Sequence, residues 1–289
     1  MKIVYGLLIC LGFAFYLKFN EPQVILKEKG VENAYPRLSA DNKRILYQSD
    51  RTGKWQLFIL DMASGKSTAV TNDTFNNNFP DWNTKNDLIS FVSDRDGNEE
   101  IYTIKTDGTG LKRITTSRAR DIHPYFSPDG NYLLFNSTRD NGSLDIYRLN
   151  LADLKTERLT NTRDQETCAR YSPDMKKIVY LRNNEKEDDV YVLDLNTGLS
   201  DNVTKTPVLT DGWPMFSGDG KWIYYSGMET GVYCVNRIGI DGKNKKQLTK
   251  AGKDEEDARV FVSADGKKMI YNKRMDGLIA IYALDLPNQ

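Results

Sequence analysis

The chain repeats one short phrase six times at an almost constant spacing. Each copy starts with an apolar or aromatic residue and runs into a polar turn, as in the segment from Phe126 to Gly130. The other five copies begin at Leu38, Trp82, Tyr171, Phe216 and Val262. The steps between successive turns are 44, 44, 45, 45 and 46 residues. So steady a period indicates an array of one supersecondary unit.

Each unit reads as four short strands. Between residues 122 and 160 the apolar residues alternate at period two and are punctuated by turn residues, a pattern typical of strands. We predict strands over residues 124–127, 132–137, 144–149 and 156–160. A repeated unit of four antiparallel strands and about 45 residues is the blade of a β-propeller. The sequence therefore predicts an all-β, six-bladed propeller over residues 22–289.

The two ends of the chain are expected to close this ring together. Each complete repeat ends on an apolar residue followed by Thr, whereas the last repeat stops near Leu286, one strand short. One period before Thr71 lies the apolar stretch around Ile25. We therefore predict that residues 23–29 form the outer strand of the sixth blade, which leaves no open sheet edge.

Composition narrows the classes of function. The 289 residues carry 40 basic and 40 acidic side chains, so no net charge favours nucleic acid or an anionic membrane surface. We expect one domain and a monomer. Of the three cysteines, Cys168 and Cys234 fall in different blades, which predicts free buried thiols.

The first 20 residues predict export. Met1 and Lys2 precede an uncharged stretch over residues 3–17 that ends at Lys18. This is the pattern of an export signal or a short membrane anchor, and its length favours a signal peptide. We expect the propeller to be extracytoplasmic, periplasmic or secreted, and to contact a membrane only through this segment.

A ring of polar residues is predicted at one rim of the channel. Six residues before each turn Ser or Asn, where each inner strand begins, stand Asn33, Asn77, Asp121, Glu166, Asp211 and Asp257. The four carboxylates among them are candidate ligands for a metal, with calcium the suitable ion, although no cofactor is required. The same ring is suited to the cationic or amide groups of a peptide. The rim also carries His123, Trp213 and Arg259.

A purely structural reading of these carboxylates is also open. Arg51, Arg95, Arg139 and Arg274 occupy similar positions in their repeats and are suited to pair with the ring residues between blades.

Catalytic patterns are poor. His123 is the only histidine, which excludes a zinc site of several imidazoles, and no Gly-x-Ser-x-Gly or His-Glu-x-x-His motif occurs. We assign no catalytic residue.

One family resembles this chain in its repeat. The segment from His123 to Gly130, then Ser137 to Asp140, then Ile146 and Tyr147, is similar to the WD-like repeat of TolB-type propellers. The resemblance covers the propeller alone, without the N-terminal α/β domain of TolB, and implies a six-bladed fold in the cell envelope. Our first hypothesis is an exported, non-catalytic binding or scaffold propeller that recognises an envelope protein or peptide through its channel rim. The alternative is a metal-assisted lyase or hydrolase that uses the rim carboxylates.

Overall fold

The protein is an all-β, six-bladed propeller. The computed structural model describes residues 21–83, 85–184, 188–206 and 210–286, which form 24 strands in six four-stranded antiparallel sheets. Within these ranges no helix has the length and apolar character needed to cross a bilayer. The predicted export segment lies outside the described residues. Cys168 and Cys234 are free and buried, as predicted.

The blades follow one another along the chain, and each is ordered from the channel outwards. Blades 1 to 3 contain β2 (Asn33–Leu38), β3 (Arg44–Ser49), β4 (Gln56–Asp61), β5 (Ser67–Ala69), β6 (Asn77–Asn83), β7 (Leu88–Ser93), β8 (Glu100–Lys105), β9 (Lys112–Arg113), β10 (Asp121–Phe126), β11 (Tyr132–Ser137), β12 (Asp145–Asn150) and β13 (Thr156–Arg158). Blades 4 to 6 contain β14 (Gln165–Tyr171), β15 (Lys177–Asn183), β16 (Asp188–Asp194), β17 (Ser200–Asn202), β18 (Asp211–Phe216), β19 (Trp222–Gly227), β20 (Cys234–Gly239), β21 (Lys246–Gln247), β22 (Glu256–Val262), β23 (Lys268–Met275), β24 (Leu278–Asp285) and, as the outermost strand of blade 6, β1 (Gln23–Leu26).

The hydrophobic core is divided into six seams between neighbouring blades. At the seam of blades 1 and 2, Leu46 and Leu57 pack against Ile89 and Phe91, and all four are fully buried. The other five seams have equivalent apolar clusters. Each blade therefore buries both faces only because it has a neighbour on each side.

The inner strands begin earlier than the sequence pattern predicts. In blade 3 the strand starts at Asp121 rather than at residue 124. A register shift between Ile122 and Tyr125 interrupts the alternation, and His123 adopts a left-handed φ of 52°. This bulge breaks the period-two pattern on which the prediction was based.

The fourth strand is shorter than predicted. The Thr at the end of the predicted segment lies beyond the strand and hydrogen-bonds to the third strand through its side chain. In blade 3 the strand ends at Arg158, and the Thr160 hydroxyl accepts a hydrogen bond of 3.0 Å from the backbone N–H of Ile146. The same Thr-to-third-strand bond occurs at Thr71, Thr115, Thr204 and Thr249. The repeated apolar-Thr pair thus fastens the end of each of these outer strands to its blade.

Strand β1 completes the sixth sheet. It pairs antiparallel with β24 in the register Gln23 to Ala283 and Val24 to Tyr282. It is shorter than the predicted 23–29 segment. Ile25 and Leu26 pack against the apolar cluster between blades 6 and 1, so the first strand of the described chain covers the seam at which the ring meets.

Placing a charge on the half-buried side of β1 that packs on the seam should destabilise the protein. We expect Ile25→Asp to lower the free energy of unfolding by about 1–3 kcal/mol, because it removes apolar burial at the seam and desolvates a carboxylate. Val24 is 56% exposed, so Val24→Asp is the matched control and should change little. Urea unfolding followed by tryptophan fluorescence measures both. Equal effects of the two substitutions would show that β1 does not cover the seam.

Candidate functional site

The six polar residues predicted for the rim are buried inside the blades. Asn33, Asn77, Asp121, Glu166, Asp211 and Asp257 are each at most 1% exposed. Each is the first or second residue of its inner strand and lies opposite a residue of the second strand. Their side chains are therefore placed to stabilise each blade where its inner strand begins.

Arginines hold four of these side chains. Asp121 Oδ2 lies 2.8 Å from the guanidinium of Arg139, and Glu166 Oε1 lies 2.8 Å from that of Arg182. The amide oxygens are held in the same way, Asn77 by Arg95 at 2.8 Å and Asn33 by Arg51 at 3.3 Å. Arg51, Arg95 and Arg139 thus pair with the ring residues as the structural interpretation predicts, but each contact lies within one blade rather than between blades.

In blade 6, a residue other than the expected Arg274 pairs with the ring carboxylate. Asp257 lies 3.4 Å from the ammonium of Lys273. Arg274 instead lies 3.3 Å from Glu32 of blade 1 and 3.7 Å from Glu256, so its predicted pairing with the ring residue is wrong. Neighbouring residues of β23 point to opposite faces of the sheet, which directs Arg274 away from Asp257.

Asp211 in blade 5 has no basic partner among the described residues. Its Oδ2 accepts a hydrogen bond of 3.2 Å from Thr206, and its Oδ1 is buried without a partner. The equivalents of Arg182 and Arg139 in this blade are Gly227 and Glu229. Burial raises the pKa of Asp211 to about 7, which the hydrogen bonds and Lys245 offset only in part.

The four carboxylates do not converge. Across the described parts of the chain, no three Asp, Glu, His or Cys side chains come together as metal ligands would. Calcium binding by Asp121, Glu166, Asp211 and Asp257 stays a prediction that requires these side chains to leave their present contacts.

A second ring, two residues further along each inner strand, faces the channel. We call these six residues the collar: Tyr35, Phe79, His123, Cys168, Trp213 and Arg259. All six adopt left-handed φ angles between 48° and 56° at the bulge of their strand. Non-glycine residues seldom adopt this conformation. Its recurrence in all six blades therefore shows that the bulge is a regular part of the fold.

Contacts around the collar show that these side chains meet at the channel axis. The rings of Tyr35 and Phe79 lie 5.0 Å apart, and those of Phe79 and His123 lie 4.5 Å apart. Cys168 Sγ lies 3.9 Å from His123 Nδ1. On the other side, the Arg259 guanidinium lies 4.9 Å from the ring of Tyr35 and 4.6 Å from that of Trp213.

The collar surrounds a cavity of about 400 Å³ at this mouth of the channel. Tyr233 adds a further aromatic wall beside Trp213, at a ring distance of 5.8 Å. Asp188 and Arg120 stand at its margin. The mouth therefore combines aromatic side chains with charged residues of both signs.

Electrostatics disfavour nucleophilic chemistry in the collar. Burial and the nearby Arg120 lower the pKa of His123 to about 4, so the imidazole is neutral at pH 7. Burial raises the pKa of the Cys168 thiol. Their contact is thus between neutral groups, whereas an activated cysteine needs a thiolate next to a cation.

A third ring, formed by the residues two further along each inner strand than the collar, closes the channel beneath the collar. The Arg37 side chain is 2% exposed, and its Nε lies 3.1 Å from Asp81 Oδ1. Its guanidinium also lies 5.5 Å from the ring of Tyr125 and 5.6 Å from that of Phe261, which belong to blades 3 and 6. One side chain from blade 1 therefore reaches across the axis and separates the two mouths.

Sequence reasoning brought His123, Trp213 and Arg259 to the collar and missed Tyr35, Phe79 and Cys168. The missed residues occupy the same repeat position, four before the turn Ser or Asn. Only their shared position in the aligned repeats identifies these six residues as a set, because all six are of different types.

Six four-stranded blades around a central channel define a six-bladed β-propeller. Residues 20–252 match the family model described as the TolB beta propeller domain. The chain belongs to this family.

Similar proteins agree with this assignment. The chain is 31% identical over 121 residues to a protein TolB homolog of Chlorobium luteolum, a match that covers 42% of this chain and 27% of that one. It is 27% identical over 245 residues to the Tol-Pal system protein TolB of Francisella tularensis subsp. mediasiatica, covering 83% of this chain and 56% of that protein. The chain thus spans about half or less of the length of these relatives.

A solved structure supports the fold. The crystal structure of TolB from Acinetobacter baumannii superposes with a TM-score of 0.68 at 26% identity, covering 78% of this chain and 56% of that one.

Neutralising Asp211 should stabilise the protein in a pH-dependent way. The raised pKa means that the native state holds the proton more tightly than the unfolded state, so the ionised form costs stability as the pH rises from about 4 to 7. We expect Asp211→Asn to raise the free energy of unfolding by a few kcal/mol at pH 8 and by little near pH 4. Asp194→Asn is the control and should lower the free energy of unfolding at pH 8, because Lys177 and two backbone N–H groups hold the pKa of Asp194 at about 2. Urea unfolding at both pH values measures these differences. If the free energy of unfolding of Asp211→Asn depends on pH as it does in the wild type, Asp211 is not the group with the raised pKa.

Removing the single carboxylate beside Arg37 should be costly. We expect Asp81→Asn to lower the free energy of unfolding by about 3–5 kcal/mol, because a buried guanidinium is left without its counter-charge. Asp129→Asn, at an exposed turn, should cost much less. Thermal unfolding monitored by circular dichroism compares them, and similar melting temperatures would mean that Asp81 does not neutralise Arg37.

Proposed function

We propose that this chain is an exported, non-catalytic binding propeller that recognises a protein or peptide of the cell envelope through the collar mouth. One observation carries the proposal. The collar places the rings of Tyr35, Phe79 and Trp213 around an open cavity of about 400 Å³. Aromatic side chains that line a concave mouth offer large apolar area with little loss of rotamer freedom on binding.

Charge at the mouth favours a partner with at least one acceptor group. The Arg259 guanidinium lies between two aromatic rings, its Nε is buried without an acceptor, and no ion pair among the described residues includes it. A carbonyl or carboxylate of a bound peptide would satisfy this donor. The buried ring of Asn33, Asn77, Asp121, Glu166, Asp211 and Asp257 would support the mouth from behind.

The relatives suggest which envelope system to test. Two of them are named as TolB proteins, one of them as a Tol-Pal system protein. In the family that the repeat resembles, TolB itself is a periplasmic partner of the peptidoglycan-associated lipoprotein. The export signal predicted in residues 1–20 agrees with an envelope location. We propose the same location and an envelope-protein partner for this chain.

Binding of the full chain to the peptidoglycan-associated lipoprotein of its own organism tests the proposal. We expect Trp213→Ala to weaken the interaction about 30-fold, the effect of losing a central aromatic contact of about 2 kcal/mol. Leu199→Ser is the control, because Leu199 is 69% exposed beside the outer strand of blade 4 and far from the channel. Biolayer interferometry measures both affinities, and melting curves establish that each variant is folded.

Two results would count against the proposal. Absence of binding by the wild type removes the Tol-Pal partner. Wild-type affinity in Trp213→Ala, with reduced affinity in Leu199→Ser, moves recognition from the collar to the blade sides.

A further inference from the structure

The opposite mouth of the channel contains a second cavity of different chemistry. We call it the turn-side pocket, because the turns between inner and second strands surround it. Its volume is about 250 Å³, and its principal lining residues are Asp81, Lys85, Tyr125, Arg170, Met215 and Phe261. Arg37 lies behind Asp81 and separates this pocket from the collar. The two cavities share no lining residue.

Arg170 is the cation in this pocket that lacks a partner. Its guanidinium stacks 4.2 Å from the ring of Tyr125. Its Nε is buried without an acceptor, and no ion pair in the described part of the chain includes this residue. An arginine held over a ring with one donor unused has the fork geometry that carboxylates favour.

The one carboxylate in the pocket is already occupied. Asp81 Oδ1 accepts from Arg37 at 3.1 Å, and Asp81 Oδ2 accepts from the backbone N–H of Phe126 at 2.9 Å. Two guanidiniums therefore share the interior with a single carboxylate. Burial and the charge of Arg170 lower the pKa of Arg37, as expected for two cations close together. An anion in the pocket would neutralise the excess positive charge.

The rim adds a second cation at a position where the other repeats carry an acid. Lys85 stands two residues after the turn Asn83, where the remaining repeats have Asp41, Asp129, Asp174, Asp219 and Asp265. Those aspartates accept from the Ser of their own turn at 2.5–2.6 Å. Lys85 instead extends to the neighbouring turn, where its ammonium donates to the carbonyl of Pro128 at 2.6 Å.

The surroundings restrict the anion that fits. Five exposed rim carboxylates repel a polyanion, whereas one small anion can pass between them. The lining also includes Met215, Phe216 and Phe261 of blades 5 and 6, which suit an apolar group. The pocket thus combines one unsatisfied guanidinium with an apolar wall.

We propose that the turn-side pocket binds a carboxylate attached to an apolar or aromatic group, with Arg170 as its counter-ion and Lys85 at its entrance. Such a carboxylate has two sources, a free hydrophobic acid or the C-terminal residue of a peptide. The pocket is separate from the collar, so this proposal does not depend on the function proposed above.

Calorimetric titration of the full chain tests the carboxylate directly. The probes are phenylacetate, N-acetyl-phenylalanine and its C-terminal amide, and a tripeptide that ends in Phe. We expect both acids to bind and the amide to bind at least about tenfold more weakly, because a neutral amide cannot form an ion pair with the guanidinium. A free-acid ligand is indicated if phenylacetate binds best, and a peptide C-terminus if the tripeptide does. Equal binding of acid and amide, or no heat from any acid at about 10 mM, overturns the proposal.

Substitutions assign the site. We expect Arg170→Gln to weaken binding of N-acetyl-phenylalanine about tenfold and Lys85→Gln about two- to threefold. Arg237→Gln is the matched control, because Arg237 also stacks on a ring, that of Trp222 at 4.1 Å, and also has a buried unpartnered Nε, but it lies on a third strand. It should bind within twofold of the wild type. Wild-type affinity in Arg170→Gln overturns the assignment.

Stability gives a second readout that does not depend on ligand affinity. Without a probe, Arg170→Gln should melt no lower than the wild type, since Arg37 loses a like-charged neighbour. N-acetyl-phenylalanine should raise the melting temperature of the wild type and of Arg237→Gln but not that of Arg170→Gln. An equal rise in all three proteins would place the acid elsewhere. If Arg170→Gln does not fold, the acid-against-amide comparison on the wild type still decides.

Discussion

The packing of each blade against its two neighbours is the interaction on which the whole molecule depends. Every seam buries side chains such as Leu46 and Phe91 completely, and an isolated blade would expose two apolar faces. The faces are covered only when the array closes. Pairing of β1 with β24 brings the start of the propeller to the sixth sheet and places Ile25 and Leu26 on the last seam.

Closure also explains why the channel has two separate mouths. Six inner strands brought together around one axis place equivalent residues in rings. The left-handed residue at each bulge turns toward the axis and forms the collar, and the residues two further along form the layer in which Arg37 crosses to Tyr125 and Phe261. A scaffold of repeated geometry thus carries non-repeated side chains, and recognition is a property of those differences.

Much of this architecture was predictable from the sequence. The 44- to 46-residue period and the period-two alternation gave the number of blades and most strands, because turn chemistry and burial repeat with the backbone. The starts of the inner strands were missed, since the bulge at His123 and its equivalents breaks the alternation. The pairing of Asp257 with Lys273 rather than Arg274 was missed as well, because a one-residue shift along a strand reverses the face and leaves the composition unchanged. Arg37 reaches across the axis to another blade, a contact that no local pattern records.

The most direct test of recognition through the collar is to determine which part of the propeller a partner contacts in the native envelope. A photo-crosslinking amino acid can replace Trp213 in the collar or Leu199 on the outer side of blade 4, and the adducts can be compared by mass. We expect one dominant protein adduct from position 213 and little from position 199. An adduct that forms from position 199 and not from position 213 would contradict it.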